Sequence, residues 1–211
     1  MSLITALLTF ALLHTSVQGS SIKLGCLSAA PTGVSLATGG QTLEACRSVC
    51  ATSASPYSYF SKSSSSCGCS STAAPNTLYV DALDRDANCG DATVWYSGII
   101  ANSTSNSTTT CPSLGPTSSA DLPGYVYLST LPDPLACYSA CGAAGLNVSL
   151  IQPGLGGYSC ACASKIEGAT YAEVCNSQSW YAVQKASAAV TTPKEPKKCK
   201  RKQRRSTGGK Q

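Results

Sequence analysis

The chain has 211 residues, of which 13 are cysteine, one is histidine and 12% are charged. Its formal net charge of +5 is unevenly held: residues 20–193 carry a net of −3 and residues 194–211 a net of +8. So many cysteines speak against a reducing compartment, and the lone histidine, His14, lies in an N-terminal leader, leaving no imidazole elsewhere for a triad, a Cys-His pair or a His-containing zinc site.

Residues 1–19 read as a signal peptide. The apolar run Leu3–Leu13 is eleven residues long, about half of a bilayer span. Val17-Gln18-Gly19 then offers small or β-branched residues at the cleavage positions. No later stretch has the length of apolar sequence that a transmembrane helix needs. The expected location is secreted. Three sequons fit that reading and make Asn102, Asn106 and Asn147 candidate N-glycosylation sites.

Twelve cysteines form two sets with one rhythm. The first is Cys26-x19-Cys46-x3-Cys50-x16-Cys67-x-Cys69-x19-Cys89. The second is Cys111-x25-Cys137-x3-Cys141-x18-Cys160-x-Cys162-x12-Cys175. Trp-Tyr follows each set, as Trp95-Tyr96 and Trp180-Tyr181. The repetition predicts two homologous domains, 22–98 and 109–186, joined by a Ser/Thr/Asn-rich linker, 99–108. Domains this small need covalent staples.

In the first domain Thr42 is placed to N-cap a helix LEACRSVCA, with Glu44 in its first turn. YSYFS (57–61), TLYVDAL (77–83) and TVWYSGII (93–100) have strand character. Asp81, Asp84, Asp86 and Asp91 match no EF-hand spacing and read as a solvated loop. In the second domain Asp133 caps PLACYSACG, with Pro134 at the first helical position. GYVYL (124–128), NVSLI (147–151) and SWYAV (179–183) are its strand-like runs. The predicted class is α+β, each domain a short helix on an antiparallel sheet.

Cysteines four apart share a helix face and cysteines two apart share a strand face. A helix pair can therefore meet a strand pair in a double cross-link. Antiparallel nesting favours Cys46–Cys69 with Cys50–Cys67, and Cys137–Cys162 with Cys141–Cys160. Cys26–Cys89 and Cys111–Cys175 would then tie the ends. Six cysteines allow many other pairings. A redox role calls for an exposed thiolate in Cys-x-x-Cys, and zinc for spaced Cys-x2-Cys knuckles; neither pattern occurs. No metal and no cofactor are expected. Cys199 is left unpaired, free or available to join two chains.

Gly25-Cys26, Thr42-Leu43-Glu44-Ala45-Cys46-x3-Cys50, Tyr57-Ser58-Tyr59-Phe60 and Cys67-Gly68-Cys69 together resemble the WSC domain of fungal surface proteins. The resemblance covers most of 24–98 and, through the cysteine rhythm, 109–186. It implies a fold like that of PAN/apple modules, whose six cysteines nest first to sixth, second to fifth and third to fourth. It also implies carbohydrate binding at a fungal wall or on extracellular polysaccharide. Each copy here has six cysteines where WSC domains usually have eight.

Glycan sites pair an aromatic platform with polar groups. The candidates are Tyr57, Tyr59, Trp95 and Tyr96 in the first domain and Tyr158, Trp180 and Tyr181 in the second. Tyr57 and Tyr59 share a strand face, so both are core or both are outside. Residues 187–211 read as a basic disordered tail. Behind a signal peptide, its 194–205 stretch suits anionic wall polymers or headgroups rather than nucleic acid. The expected function is a secreted, non-catalytic carbohydrate-binding protein. The alternative is a structural or adhesive surface protein that binds other proteins through its PAN-like modules. Beyond the leader that holds His14, neither a histidine nor a compact acid/base pair is present to suggest an enzyme.

Overall fold

The computed structural model describes residues 20–100, 107–114, 122–166 and 169–185. The expected signal peptide, Asn102, Asn106, most of the linker, Cys199 and the basic tail lie outside the described residues.

The first repeat forms a six-stranded antiparallel sheet from β1 (Ser20–Leu27), β2 (Ser35–Ala37), β3 (Tyr57–Ser61), β4 (Ser66–Ser70), β5 (Tyr79–Val80) and β6 (Val94–Ile100). The second forms a five-stranded one from β7 (Ser107–Thr110), β8 (Val126–Leu131), β9 (Val148–Gly154), β10 (Gly157–Ala163) and β11 (Tyr181–Lys185). The strand orders are β2-β4-β3-β6-β1-β5 and β8-β10-β9-β11-β7. Matched through their cysteines, the two sheets have the same order, with β5 as an addition at one edge of the first.

Each repeat carries one helix where the caps place it. In α1 (Leu43–Thr52) the Thr42 hydroxyl accepts from the Ala45 amide at 3.1 Å. In α2 (Pro134–Ala143) the Asp133 carboxylate accepts from the Leu135 amide at 2.7 Å. Each cap satisfies an amide that has no partner within the helix. The run 77–83 is strand only at Tyr79–Val80, behind a 3-10 turn at Asn76–Leu78. Beyond Val80 the backbone leaves the sheet, and the Ala82 amide bonds Cys175 of the other repeat at 2.7 Å. Part of the expected linker is also strand, since β6 reaches Ile100 and β7 begins at Ser107.

All twelve repeat cysteines are bridged. The outer pairs are Cys26–Cys89 and Cys111–Cys175. The inner pairs correct the nested expectation: Cys46 joins Cys67, Cys50 joins Cys69, Cys137 joins Cys160 and Cys141 joins Cys162. The reason is the strand between them. From α1 the chain turns back along β3 and reverses again into antiparallel β4, so β4 runs in the same sense as the helix. First therefore meets first and second meets second. The spacings fit, since four helical residues rise about 6 Å and two strand residues about 6.6 Å. β9 and β10 repeat the same reversal.

The two repeats share one core. In the first sheet Tyr57, Tyr59, Tyr96 and Gly98 lie on the face away from α1, while Ser58, Phe60, Trp95 and Ser97 lie beneath the helix. In the second sheet Tyr158 and Tyr181 stand on the face that carries the α2 disulfides. The bare face of the first repeat thus packs on the helix face of the second, in the order α1, first sheet, α2 with its tyrosines, second sheet. Gly98 makes room for this, because a Cβ there would meet Leu135 of α2 at 2.6 Å. Gly25, at a β-bulge with φ +144°, leaves space for the Tyr79 ring, which an added Cβ would meet at 2.5 Å. The far face of the second sheet, with Val148, Leu150, Ala161, Ala163 and Ala182, is covered by Leu122, Tyr125, Ile166 and Trp180.

Partial reduction followed by fragmentation between Cys67 and Cys69 should link Cys46 to Cys67 and Cys50 to Cys69; the nested order would contradict the direction assigned to β4.

Candidate functional site

The structure removes most of the aromatic candidates from reach. Tyr57, Tyr59, Tyr96, Tyr158 and Tyr181 are each 3% exposed or less. They form one cluster with Tyr79, between the two sheets. Tyr59 stacks on Tyr96 with centroids 5.1 Å apart, Tyr57 lies 5.6 Å from Tyr96, and Tyr79 meets Tyr158 and Tyr181 edge-on at 6.5 and 5.9 Å. None of these five offers a face to a sugar. The physical reason is that the second repeat covers the sheet face that the tyrosines line.

Each hydroxyl of the candidate tyrosines has a partner, as a buried one must. Tyr59 donates to the Thr72 carbonyl at 3.1 Å, Tyr158 to the Ala74 carbonyl and Tyr181 to the Asn176 carbonyl at 3.3 Å. Tyr96 accepts from the Ala74 amide at 3.2 Å. Tyr57 donates to Asp133, the cap of α2. Burial first, and for Tyr57 the adjacent Asp133 carboxylate, pushes the pKa of all six clustered tyrosines above the ordinary phenol value.

The two tryptophans differ. By strand register Trp95 lies opposite Phe60, which lies opposite Cys67. In the second repeat Cys160 lies opposite Ile151, which lies opposite Tyr181. The structural counterpart of Trp95 is therefore Tyr181, and the two Trp-Tyr pairs are one residue out of step. A slip of one residue turns side chains to the other face. Trp95 is half-buried under the α1 side of its sheet, with Lys23 5.8 Å from its ring centre. Trp180 sits just before β11, half-buried on the outer core of the second repeat.

Trp180 lines an open groove of about 300 Å³ with Leu114, Gln152, Asn176, Gln178 and Ser179. Its polar rim is held in place by hydrogen bonds. Asn176 Oδ1 accepts from the Gln178 amide at 2.8 Å and from Ser179 Oγ at 3.2 Å, and Ser179 Oγ accepts from the Asn176 amide at 3.1 Å. Gln152 Nε2 donates to the Gln178 carbonyl at 2.8 Å. The Gln152 Oε1 and the exposed Gln178 side chain face no such claim from these bonds. A half-buried indole beside amide and hydroxyl groups has the types of group that neutral-sugar sites combine. Gln152, Asn176 and Gln178 carry no motif, because the groove forms where three separated segments meet.

Other chemistry is accounted for by structure. The sulfurs of Cys46, Cys50 and Cys67 lie within 4.8 Å of one another, as do those of Cys137, Cys141 and Cys160, but every one is in a disulfide. In the acidic loop the Asp84 carboxylate accepts from the Asp86 and Asn88 amides and from the Asn88 side chain, which holds its pKa below the usual value. Asp91 pairs with Lys62 at 2.7 Å. Asn147 is exposed between α2 and β9, as a glycan acceptor must be. Among the described residues no helix is long and apolar enough to cross a membrane. Comparison with family models, curated proteins and solved structures finds no match to this chain.

The tyrosine cluster sets the alkaline limit of the fold. A phenol with a native pKa above the unfolded value of about 10 stabilises fully below that pH. The unfolded state then loses protons first, so stability falls as pH rises, by up to about 1.4 kcal/mol per pH unit for each tyrosine. Tyrosinate absorbance from these six residues should appear together with loss of fold in one cooperative step. Gradual titration of these six near pH 10 in a folded chain would contradict their burial.

Proposed function

We propose that this chain is a secreted, non-catalytic carbohydrate-binding protein of the fungal cell wall or extracellular matrix, built from two WSC-like modules on a PAN/apple-like plan. The Trp180 groove carries this reading. It joins the half-buried Trp180 indole to Gln152, whose amide group is already held by the Gln178 carbonyl, and to the exposed Gln178 side chain. Six disulfides and the lack of a membrane-spanning helix among the described residues are compatible with an extracellular setting. The helix-to-sheet double cross-link in each repeat is compatible with a WSC-like module, although its inner pairs run in parallel order.

The reading also relocates the sugar platform. Trp180 replaces the tyrosines as the stacking residue, with Gln152 and Gln178 as its polar partners. Trp95 of the first module packs on the α1 side of its sheet instead, so avidity between two equal sites is not part of the proposal.

The test is retention of the purified protein on insoluble β-glucan, chitin, cellulose and xylan. Trp180→Ala and Gln178→Ala, each checked for folding by its thermal transition, should bind the retaining polymer about tenfold or more weakly, a loss of roughly 1.4 kcal/mol or more. Gln178 is exposed, so its variant tests the groove without disturbing the core. Retention that survives both changes would exclude the groove. No retention on any polymer would favour the protein-binding alternative, for which the exposed edge residues Val126, Tyr127 and Leu128 of β8 are the prominent apolar feature.

A further inference from the structure

A second cavity lies on the opposite side of the first sheet, where β1 meets β7. It measures about 460 Å³, within the range of about 300–1,000 Å³ usual for small-molecule sites. Its charged lining is Lys23, Arg47 and Asp86, and the remainder is the hydroxyl-bearing Ser21 and Ser107–Thr110. These come together because β7, from the second repeat, runs beside the part of β1 that β5 does not reach. Ser107 Oγ donates to the Ser21 carbonyl and Thr109 Oγ1 to the Lys23 carbonyl, each at 3.1 Å. Side chains thus take the place of a neighbouring strand at that edge.

The two cations are held but not neutralised. Arg47 donates through Nε and Nη2 to one acceptor, Ser97 Oγ, at 3.2 and 3.0 Å, which among the described residues uses two of its five N–H groups. Lys23 donates to Asn88 Oδ1 at 2.7 Å and to the Asp86 carbonyl at 3.2 Å, which among the described residues leaves a further N–H. No carboxylate lies within ion-pair distance of either among the described residues. Burial and then the nearby Arg47 charge lower the Lys23 pKa, with Asp84 and Asp86 opposing; Glu44 lies on the Arg47 side. Asp84 is engaged by Asn88 and two backbone amides. Lys23, Arg47 and Asp86 leave the lining with a single net positive charge.

The hydroxyls add a second constraint. Ser107 and Thr109 have spent their protons on backbone carbonyls, so their oxygens can only accept further bonds. Thr110 Oγ1 is shielded from solvent and has no hydrogen-bond partner among the described residues. A fitting ligand therefore brings one negative charge for the cations and several O–H donors for the oxygens. A phosphate dianion has too much charge beside Asp86 and no O–H array to offer.

We propose that this cavity binds a uronic acid residue of an acidic polysaccharide, its carboxylate between Lys23 and Arg47 and its hydroxyls on the Ser107–Thr110 strand. The inference goes beyond the Trp180 groove and does not depend on it. The two sites lie on different faces and take different sugars.

The test is a titration of the full chain with digalacturonate, its methyl ester and inorganic phosphate, followed by NMR at the Arg47 Nε–H and at the two indole N–H resonances. Digalacturonate should shift Arg47 and Trp95 saturably and leave Trp180 in place, while the ester and phosphate should not shift them. Lys23→Gln and Arg47→Gln should each weaken binding about tenfold or more. Both variants keep the basic tail, so this loss cannot come from residues 194–211. If Arg47→Gln fails to fold, Lys23→Gln carries the comparison. The proposal is overturned if the acid leaves Arg47 and Trp95 unmoved, or if ester or phosphate moves them equally. It is also overturned if Trp180 responds instead, or if binding is unchanged in a folded variant.

Discussion

The structure depends on a layer of tyrosines closed between two sheets. Tyr57, Tyr59, Tyr79 and Tyr96 come from the first repeat and Tyr158 and Tyr181 from the second. Rings in edge and offset contact gain about 0.5–1.5 kcal/mol per pair beyond the area they bury. Their hydroxyls must also be satisfied at the same time, because an unpaired buried donor costs about 1–3 kcal/mol. That demand fixes the segment 72–74, which receives three of the hydroxyls, and ties Tyr57 to the cap of α2. The sheets cannot slide past one another without breaking the two of these bonds that cross between the repeats, Tyr158 to Ala74 and Tyr57 to Asp133.

Packing one repeat's bare face on the next repeat's helix face is a head-to-tail contact, and such contacts can in principle continue without end. Here the far face of the second sheet is covered by Leu122, Tyr125, Ile166 and Trp180, which closes the stack at two repeats. The same closure governs where ligands can bind. The tyrosine face is spent on the shared core, so both proposed sites lie on the rims: the Trp180 groove on the closing layer and the Lys23–Arg47 cavity at the seam between β1 and β7.

Local signals in the sequence survive well. Thr42 and Asp133 mark both helix starts, YSYFS is β3 residue for residue, and the cysteine rhythm reports two sheets of one strand order. Relations between elements survive less well. The inner disulfides depend on strand direction, and spacing alone gives cysteines a shared face without saying which end of the strand meets which end of the helix. Trp95-Tyr96 and Trp180-Tyr181 look equivalent as letters, yet they differ by one step of register, which no spacing count reveals. Ser107 and Thr108 read as linker by composition, although β-branched threonine is also suited to a strand. Burial of the tyrosines was not legible, because an isolated domain would leave that face to solvent and only the second repeat covers it. The groove at Trp180 escaped for a related reason, since Gln152, Asn176 and Gln178 are ordinary surface residues until folding brings their segments together.

The central claim is that the two repeats are one folding unit built on a shared core. Differential scanning calorimetry of the intact, disulfide-bonded protein tests it directly. A shared tyrosine core predicts a single transition whose calorimetric and van't Hoff enthalpies agree. Two resolved transitions, or a van't Hoff enthalpy near half the calorimetric one, would mean that the repeats unfold separately and that the tyrosine layer does not bind them together.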